Sequence, residues 1–243
     1  LQELKSDAQM EASDWKFHST AEGIERFSKV PTNGDSHHMF KGSTRFSLQN
    51  HSRFNAKQFA KWLNRCQDNV PLRKKYIAPG ILECDLIQFD HGAKEEKKEE
   101  EKKVEEQECS SYKLERFVYE TPGGALVSNR EFVIFWLLHI VSDHEAYLLC
   151  SSIDDEELFP VKSGCVRASV RIGGWQLKSN GNDEPSSVEA VFVSHNSPGG
   201  WLPAWVVNSQ LPDQILIINK WLGVLREHEQ SGELKTILHD EQL

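Results

Sequence analysis

The strongest periodicity in the chain lies near its C-terminal end. From Pro212 to about His228 the apolar residues Leu211, Ile215, Ile218, Leu222 and Leu225 recur in steps of four and three. That spacing predicts one face of an α-helix. Ile217, Trp221 and Val224 widen the stripe on one side, while Asp213, Asn219, Lys220, Arg226 and Glu227 fall on the opposite arc. Pro212 suits a first helical turn and Gly232 a stop. Periodicity alone makes such a stripe a helix packed on a solid core more often than anything else.

Elsewhere the pattern alternates with period two. Strands are predicted at Trp15 to His18, Ile24 to Val30, Met39 to Leu48, Ile81 to Phe89, Tyr112 to Glu120, Ala146 to Ser152, Gly164 to about Leu177, and Val188 to Ser194. Phe132 to Val141 is an apolar run of about ten residues that includes His139. A membrane span needs about 20, so this run suits a buried strand. In the Gly164 segment, Val166, Ala168, Val170 and Ile172 share one face, assigned to the interior, and Arg167, Ser169 and Arg171 share the other. A register slip of one would turn Arg167 inward as a ligand contact. Two further helices are expected. One is short, over Leu1 to Asp14. The other runs from Ala56 to Cys66, with Asn55 as N-cap and Phe59, Trp62, Leu63 and Cys66 at helical spacing.

Composition adds a boundary and some exclusions. The chain has 243 residues and is 38% hydrophobic, enough for one large domain over 1–243. Its net charge is -9. Three of those charges come from Lys94 to Glu108, with eight Glu and five Lys. A run so charged and so lacking in apolar periodicity cannot bury a core face. It reads as an insertion at about 92–110 within a hairpin. No basic stripe is present, which argues against a nucleic-acid partner. Five cysteines (Cys66, Cys84, Cys109, Cys150, Cys165) show no C-x-x-C spacing, as expected of free thiols in a reducing compartment. The chain begins at Leu1 without a Met or a secretory leader, so a piece of a longer or processed protein is expected, located in the cytoplasm.

Catalytic motifs are missing: there is no Gly-x-Ser-x-Gly, His-Glu-x-x-His, P-loop or Gly-x-Gly-x-x-Gly. His37-His38 has poor metal spacing, and His144-Glu145 and His195 have no evident nucleophile beside them. Neither a metal nor a cofactor is expected.

Two motifs carry a resemblance. Gly200-Trp201-Leu202-Pro203-Ala204-Trp205-Val206-Val207-Asn208 precedes the terminal amphipathic helix, and Asn129-Arg130-Glu131-Phe132-Val133 opens the long apolar strand. Together with the order of elements they resemble the START family of lipid-binding domains, over roughly Trp15 to Glu227. Ser128-Asn129-Arg130 and Ser197-Pro198-Gly199-Gly200 are nearest in wording to its phosphatidylcholine-transfer branch. The resemblance implies an α+β helix-grip fold, in which a curved antiparallel sheet wraps a long C-terminal helix and encloses a hydrophobic cavity. It implies a non-enzymatic carrier of a single phospholipid or sterol that meets membrane surfaces transiently. The implied lining is Val133, Phe135, Leu137 and His139; Val166, Arg167, Ala168 and Val170; Phe192 and Trp205; and the lid residues Leu211, Ile215, Ile218 and Leu222. Leu158, Phe159 and Pro160 would form an entrance loop whose tip either dips into a membrane or packs on its own domain. Trp201 and Trp205 suit a hinge, a membrane-interface contact or an anchor of helix to sheet.

The chain departs from the family pattern in two places. A Trp-Asp pair is replaced around Leu72-Arg73-Lys74-Lys75-Tyr76-Ile77. An Arg common in the strand after the signature is replaced within Ile134-Phe135-Trp136-Leu137, which removes a polar head contact and narrows the cavity. The alternatives are a lipid-sensing or docking module and a cyclase- or hydrolase-like enzyme on the same fold. The enzyme would need a polar pair facing inward, such as His139 with Arg167 or Glu115.

Overall fold

Alternating segments along the chain pair into one curved sheet. The computed structural model describes residues 14–31, 35–51, 54–87, 109–121, 127–180 and 187–239. The expected helix over Leu1 to Asp14 and the 92–110 insertion lie almost wholly outside these residues. In chain order come β1 (Lys16–Ala21), β2 (Ile24–Lys29), β3 (Met39–Phe46), α1 (Ala56–Asp68), a helical turn at Val70–Leu72, a π-helical turn at Arg73–Ile77, β4 (Ile81–Ile87), β5 (Cys109–Tyr119), β6 (Asn129–Ser142) and β7 (Glu145–Ser152). They are followed by β8 (Cys165–Arg167), β9 (Ser169–Ser179), β10 (Val188–Ser197), α2 (Ala204–Gln210), a 3-10 segment at Leu211–Leu216, α3 (Ile217–Ser231) and α4 (Glu233–His239). The strand order is β1-β2-β3-β10-β9-β7-β6-β5-β4. Neighbours on this path are antiparallel, and β8 adds a short parallel pairing to the start of β6.

The helix predicted over Pro212 to His228 is broken. It begins earlier, at Ala204, tightens to 3-10 at Leu211–Leu216, and continues as α3 to Ser231. Gly232 ends α3 in the left-handed conformation at φ 83°, a position that favours glycine. The predicted stripe is nonetheless the buried face: Ile215, Ile218, Leu222 and Leu225 are each at most 4% exposed.

The concave face of the sheet is half solid. α1 starts with a capping box, in which Asn55 Oδ1 accepts from the Gln58 N–H and Gln58 Oε1 accepts from the Asn55 N–H. Its Phe59 and Trp62 stack at 5.7 Å. Trp62 meets Trp221 of α3 edge-on, and Phe59 meets Trp175 of β9 in the same way. The 3-10 segment and the first turn of α3 come down on β3 at Gly42, where a Cβ would sit 2.1 Å from Ile215 Cγ2 and 2.8 Å from Ile218 Cδ1. Glycine at that point is what lets helix and sheet touch. A second cluster, built from Trp15, Met39, Tyr147, Leu149, Ile172 and Val193, occupies the convex face.

Candidate functional site

Between the aromatic block and the far strands the concave face is hollow. A cavity of about 470 Å³ opens there. Its floor is Phe117 and Tyr119 of β5, Phe132, Ile134 and Trp136 of β6, Cys150 of β7, Val170, Gly173, Gly174 and Trp175 of β9, and Phe192, Ser194 and Asn196 of β10. Gln67 and the turn residues Arg73, Ile77 and Ala78 close one side. Gln214, Ile217, Lys220 and Trp221 roof it. Lys220 Nζ donates to the Ile77 carbonyl at 3.0 Å and ties roof to wall.

Cross-strand partners share a face. Glu115 pairs with Ile134, so it faces the cavity side, and it is fully buried. There it forms an ion pair with the buried Arg73. Trp136 Nε1 donates to Glu115 Oε2 at 3.0 Å, and the Cys84 thiol donates to Oε1 at 3.1 Å. Arg73 also donates to the Gln67 carbonyl at 3.1 Å. Burial pushes the Cys84 thiol up to about 12, helped by the charge and hydrogen bond of Glu115. No charged residue stands in Ile134 to Leu137, and the counter-ion of Glu115 comes from the π-helical turn. Neither Arg73 nor Gln67 belonged to any expected lining: Arg73 opens a run of three basic residues, and nothing in the run says which of them turns inward. Glu115 was visible as an acid within an alternating strand.

Several expected lining residues are placed elsewhere. Val133, Phe135, Leu137 and His139 are on the alternate positions of β6 and point to the convex side, where Phe135 stacks on Tyr112 and His139 lies beside Tyr147. A strand buried on both faces reads as one continuous apolar run, and the run does not say which parity faces inward. In the Gly164 segment the chain breaks between β8 and β9. β10 skips Arg171, pairing His195 with Ile172 and Asn196 with Val170. This bulge turns Val170 to the cavity and Ile172 to the convex cluster, so the two do not share a face as expected. Ala168 is buried without lining the cavity, and Val166 sits beneath Gly199 and Gly200. Phe192 is in the floor, against Trp175 at 4.9 Å. Ile215, Ile218 and Leu222 pack in the core rather than on the cavity, which instead meets the adjacent arc of Gln214, Ile217 and Trp221. The side chain of Leu211 lies outside the described residues. Trp205 is 74% exposed, because α2 starts at Ala204 and buries Val207 instead.

Arg167 does not enter the cavity. It donates to Glu131 Oε2 at 3.0 Å and to the Phe159 carbonyl. Arg116 reaches Glu131 from the other side at 2.8 Å through Nε and donates to the Pro160 carbonyl at 2.7 Å. Glu131 is fully buried. Burial would raise its pKa, but the bonds from Arg116, the Lys162 N–H and Arg167 outweigh that and hold it below the usual carboxylate value. The next-door Arg130 donates to the carbonyls of Ser128 and Pro198. Gly199, at φ 66°, presses on the Arg167 carbonyl, where a Cβ would stand 2.1 Å away. The Asn129-Arg130-Glu131 motif is therefore a double clasp. Arg130 holds the Pro198–Gly200 loop, and Glu131, through two arginines, holds the Leu158–Pro160 loop. That loop does not line the cavity, and Leu158 is 71% exposed.

The pairs of His139 with Arg167 or with Glu115 are not assembled. His139 is on the convex side, Arg167 is engaged with Glu131, and Glu115 is engaged with Arg73. Among the described residues no group of His, Cys, Asp and Glu has metal-site geometry, and no helix is long and apolar enough to cross a membrane.

A curved antiparallel sheet gripping a C-terminal helix over a mostly apolar chamber defines a class, and the sequence falls in it: the START domain family model matches residues 98–231, and the chain belongs to that family. Three solved structures share the fold. The human StAR-related lipid transfer protein 5 is 16% identical with a TM-score of 0.63, over 96% of this chain and 97% of that one. Human STARD10 is 16% identical with a TM-score of 0.63, over 100% and 88%. A STAR-related lipid transfer protein fragment from Xanthomonas axonopodis is 17% identical with a TM-score of 0.59, over 90% and 99%. Comparison with curated protein sequences gives no match.

Proposed function

We propose that this domain encloses one neutral lipid and carries it between membranes without altering it. The observation that carries this reading is the chamber of about 470 Å³ beneath the C-terminal helix, walled mainly by aromatic and aliphatic side chains. Membership of the START family supports it. Each methylene held out of water contributes about 0.8 kcal/mol. A lipid therefore leaves a membrane only into an interior of similar polarity. Arg73 and Glu115 neutralise each other, so this end of the chamber presents no uncompensated buried charge to an anionic ligand.

Size narrows the ligand. A methylene fills roughly the 30 Å³ that a water takes in the liquid, so the chamber holds about sixteen such groups. A phospholipid with about 30 methylenes in its chains alone, besides a headgroup, exceeds that most; a sterol of about 27 carbons exceeds it by less, and a single-chain lipid of about sixteen carbons matches it. The Trp136 indole occupies part of the floor. Trp201 and Trp205, 75% and 74% exposed, together with Leu158, supply apolar groups for a transient membrane contact.

The test is transfer of labelled lipids between donor and acceptor vesicles. Transfer of a sterol or a single-chain lipid faster than the protein-free exchange is expected. Tight retention without transfer would favour a lipid sensor. Absence of both retention and transfer for sterol, single-chain and phospholipid probes would overturn the reading.

A further inference from the structure

Asn196 stands at the opposite end of the chamber from Arg73. Along one row of the sheet, Asn196 pairs with Val170, the Val170 N–H bonds to Ser152, Ser152 pairs with Ile134, and Ile134 pairs with Glu115. Four inter-strand steps span roughly 19 Å along the sheet. At this end Asn196 Nδ2 donates to Ser194 Oγ at 2.9 Å and to Gln214 Oε1 at 2.9 Å. Ser194 Oγ lies 3.4 Å from the same Gln214 oxygen. All three side chains line the chamber. The remaining polar atom, Asn196 Oδ1, is sealed from solvent and has no hydrogen-bond partner among the described residues.

A buried amide oxygen without a donor is costly, and such an atom at a cavity wall indicates the complementary group. Exchanging O and N in both amides leaves the same situation with an N–H in place of the oxygen. A hydroxyl answers either arrangement, since it both donates and accepts. An anionic headgroup would meet an amide oxygen in one arrangement and no nearby cation of the triad in the other.

Resting on the carrier reading above, we propose that Ser194, Asn196 and Gln214 form a subsite for the hydroxyl of a neutral amphiphile, with its apolar body lying toward Trp136. The chemistry is shared by a sterol and by a long-chain alcohol, and the experiment separates them.

Phosphatidylcholine vesicles would be doped with labelled cholesterol or its 3-deoxy analogue, with labelled hexadecanol or hexadecane, or with labelled phosphatidylcholine, and retention by the purified protein measured. The alcohol of at least one pair should be held about tenfold more tightly, relative to its membrane partitioning, than the analogue without the hydroxyl, the worth of one buried hydrogen bond. Whichever pair shows the preference identifies the source. Asn196→Leu should reduce the preference below about threefold. Gln214→Met, at an exposed side chain, unhooks the Asn196 amide and serves as the second variant if Asn196→Leu does not fold. Equal retention of the alcohol and its analogue without the hydroxyl, or a preference unchanged in the folded variants, would overturn the subsite. Retention of phosphatidylcholine alone would overturn it while leaving the carrier reading intact. Retention of none of the probes would overturn both.

Discussion

Glu131 is a fully buried acid with two guanidiniums against it. Removing one partner of a buried ion pair costs about 3–5 kcal/mol, because the remaining charges lose their counter-ion. Glu131→Gln should therefore lower the melting temperature by about 10 °C in a domain of this size. Its pH dependence has a fixed sign. The folded-state pKa lies below the unfolded value near 4.3, so the stabilisation is present above that pH and fades as pH falls through the lower folded value. Acid titration of thermal stability should be shallower in the variant below about pH 5; an identical acid limb would show that Glu131 does not supply it. Gly42 makes a steric prediction. A Cβ there would overlap Ile215 and Ile218. Gly42→Ala should cost about 1–3 kcal/mol in chemical denaturation, and an unchanged midpoint would place the helix farther from β3 than described.

Among the elements, the C-terminal helix divides into a part that cannot move and a part that can. α3 buries Ile218, Trp221, Leu222, Val224 and Leu225. At about 1.5–3 kcal/mol each, their sum rivals the whole stability of a domain. A chain ending before Ile217 should fail to fold, shown by loss of the cooperative melt, rather than fold and merely leak lipid. α2 is held more lightly. Asn208 Oδ1 accepts from the His38 N–H at 3.0 Å, and its Nδ2 donates to the Ser36 carbonyl at 3.0 Å. Asn208→Ala should raise the rate of lipid release several-fold while costing only about 1–2 kcal/mol of stability; an unchanged release rate would locate the gate elsewhere. The elements themselves were largely legible in the sequence, because alternation and helical spacing reflect burial directly. Parity was not. In β6 both faces are apolar, so Phe132, Ile134 and Trp136 could not be told from Val133, Phe135 and Leu137. In β9 the bulge at Arg171 changes parity mid-strand, and local pattern does not announce it. The stripe on α3 was read correctly as buried, yet the cavity meets the arc beside it.

Taken whole, the molecule is a sheet that is solid where aromatic residues of α1 and α3 meet it and hollow where they do not. The presence of a chamber followed from family motifs rather than from periodicity, and periodicity alone favoured a solid core. The polar ends of the chamber, one an ion pair and one a pair of amides, arise from residues on different elements. Arg73 meets Glu115, and Asn196 meets Gln214, through contacts that strand order creates and that no linear motif encodes. The motif that best marks the family, Asn129-Arg130-Glu131, proves to hold loops rather than ligand. The central claim is that the chamber houses one small lipid. Native mass spectrometry of the purified protein addresses it directly. The account predicts a one-to-one adduct with the mass of a single sterol-sized or single-chain lipid, lost on denaturation. A protein that stays free of adduct after incubation with such lipids, or that carries only a two-chain phospholipid, would contradict it.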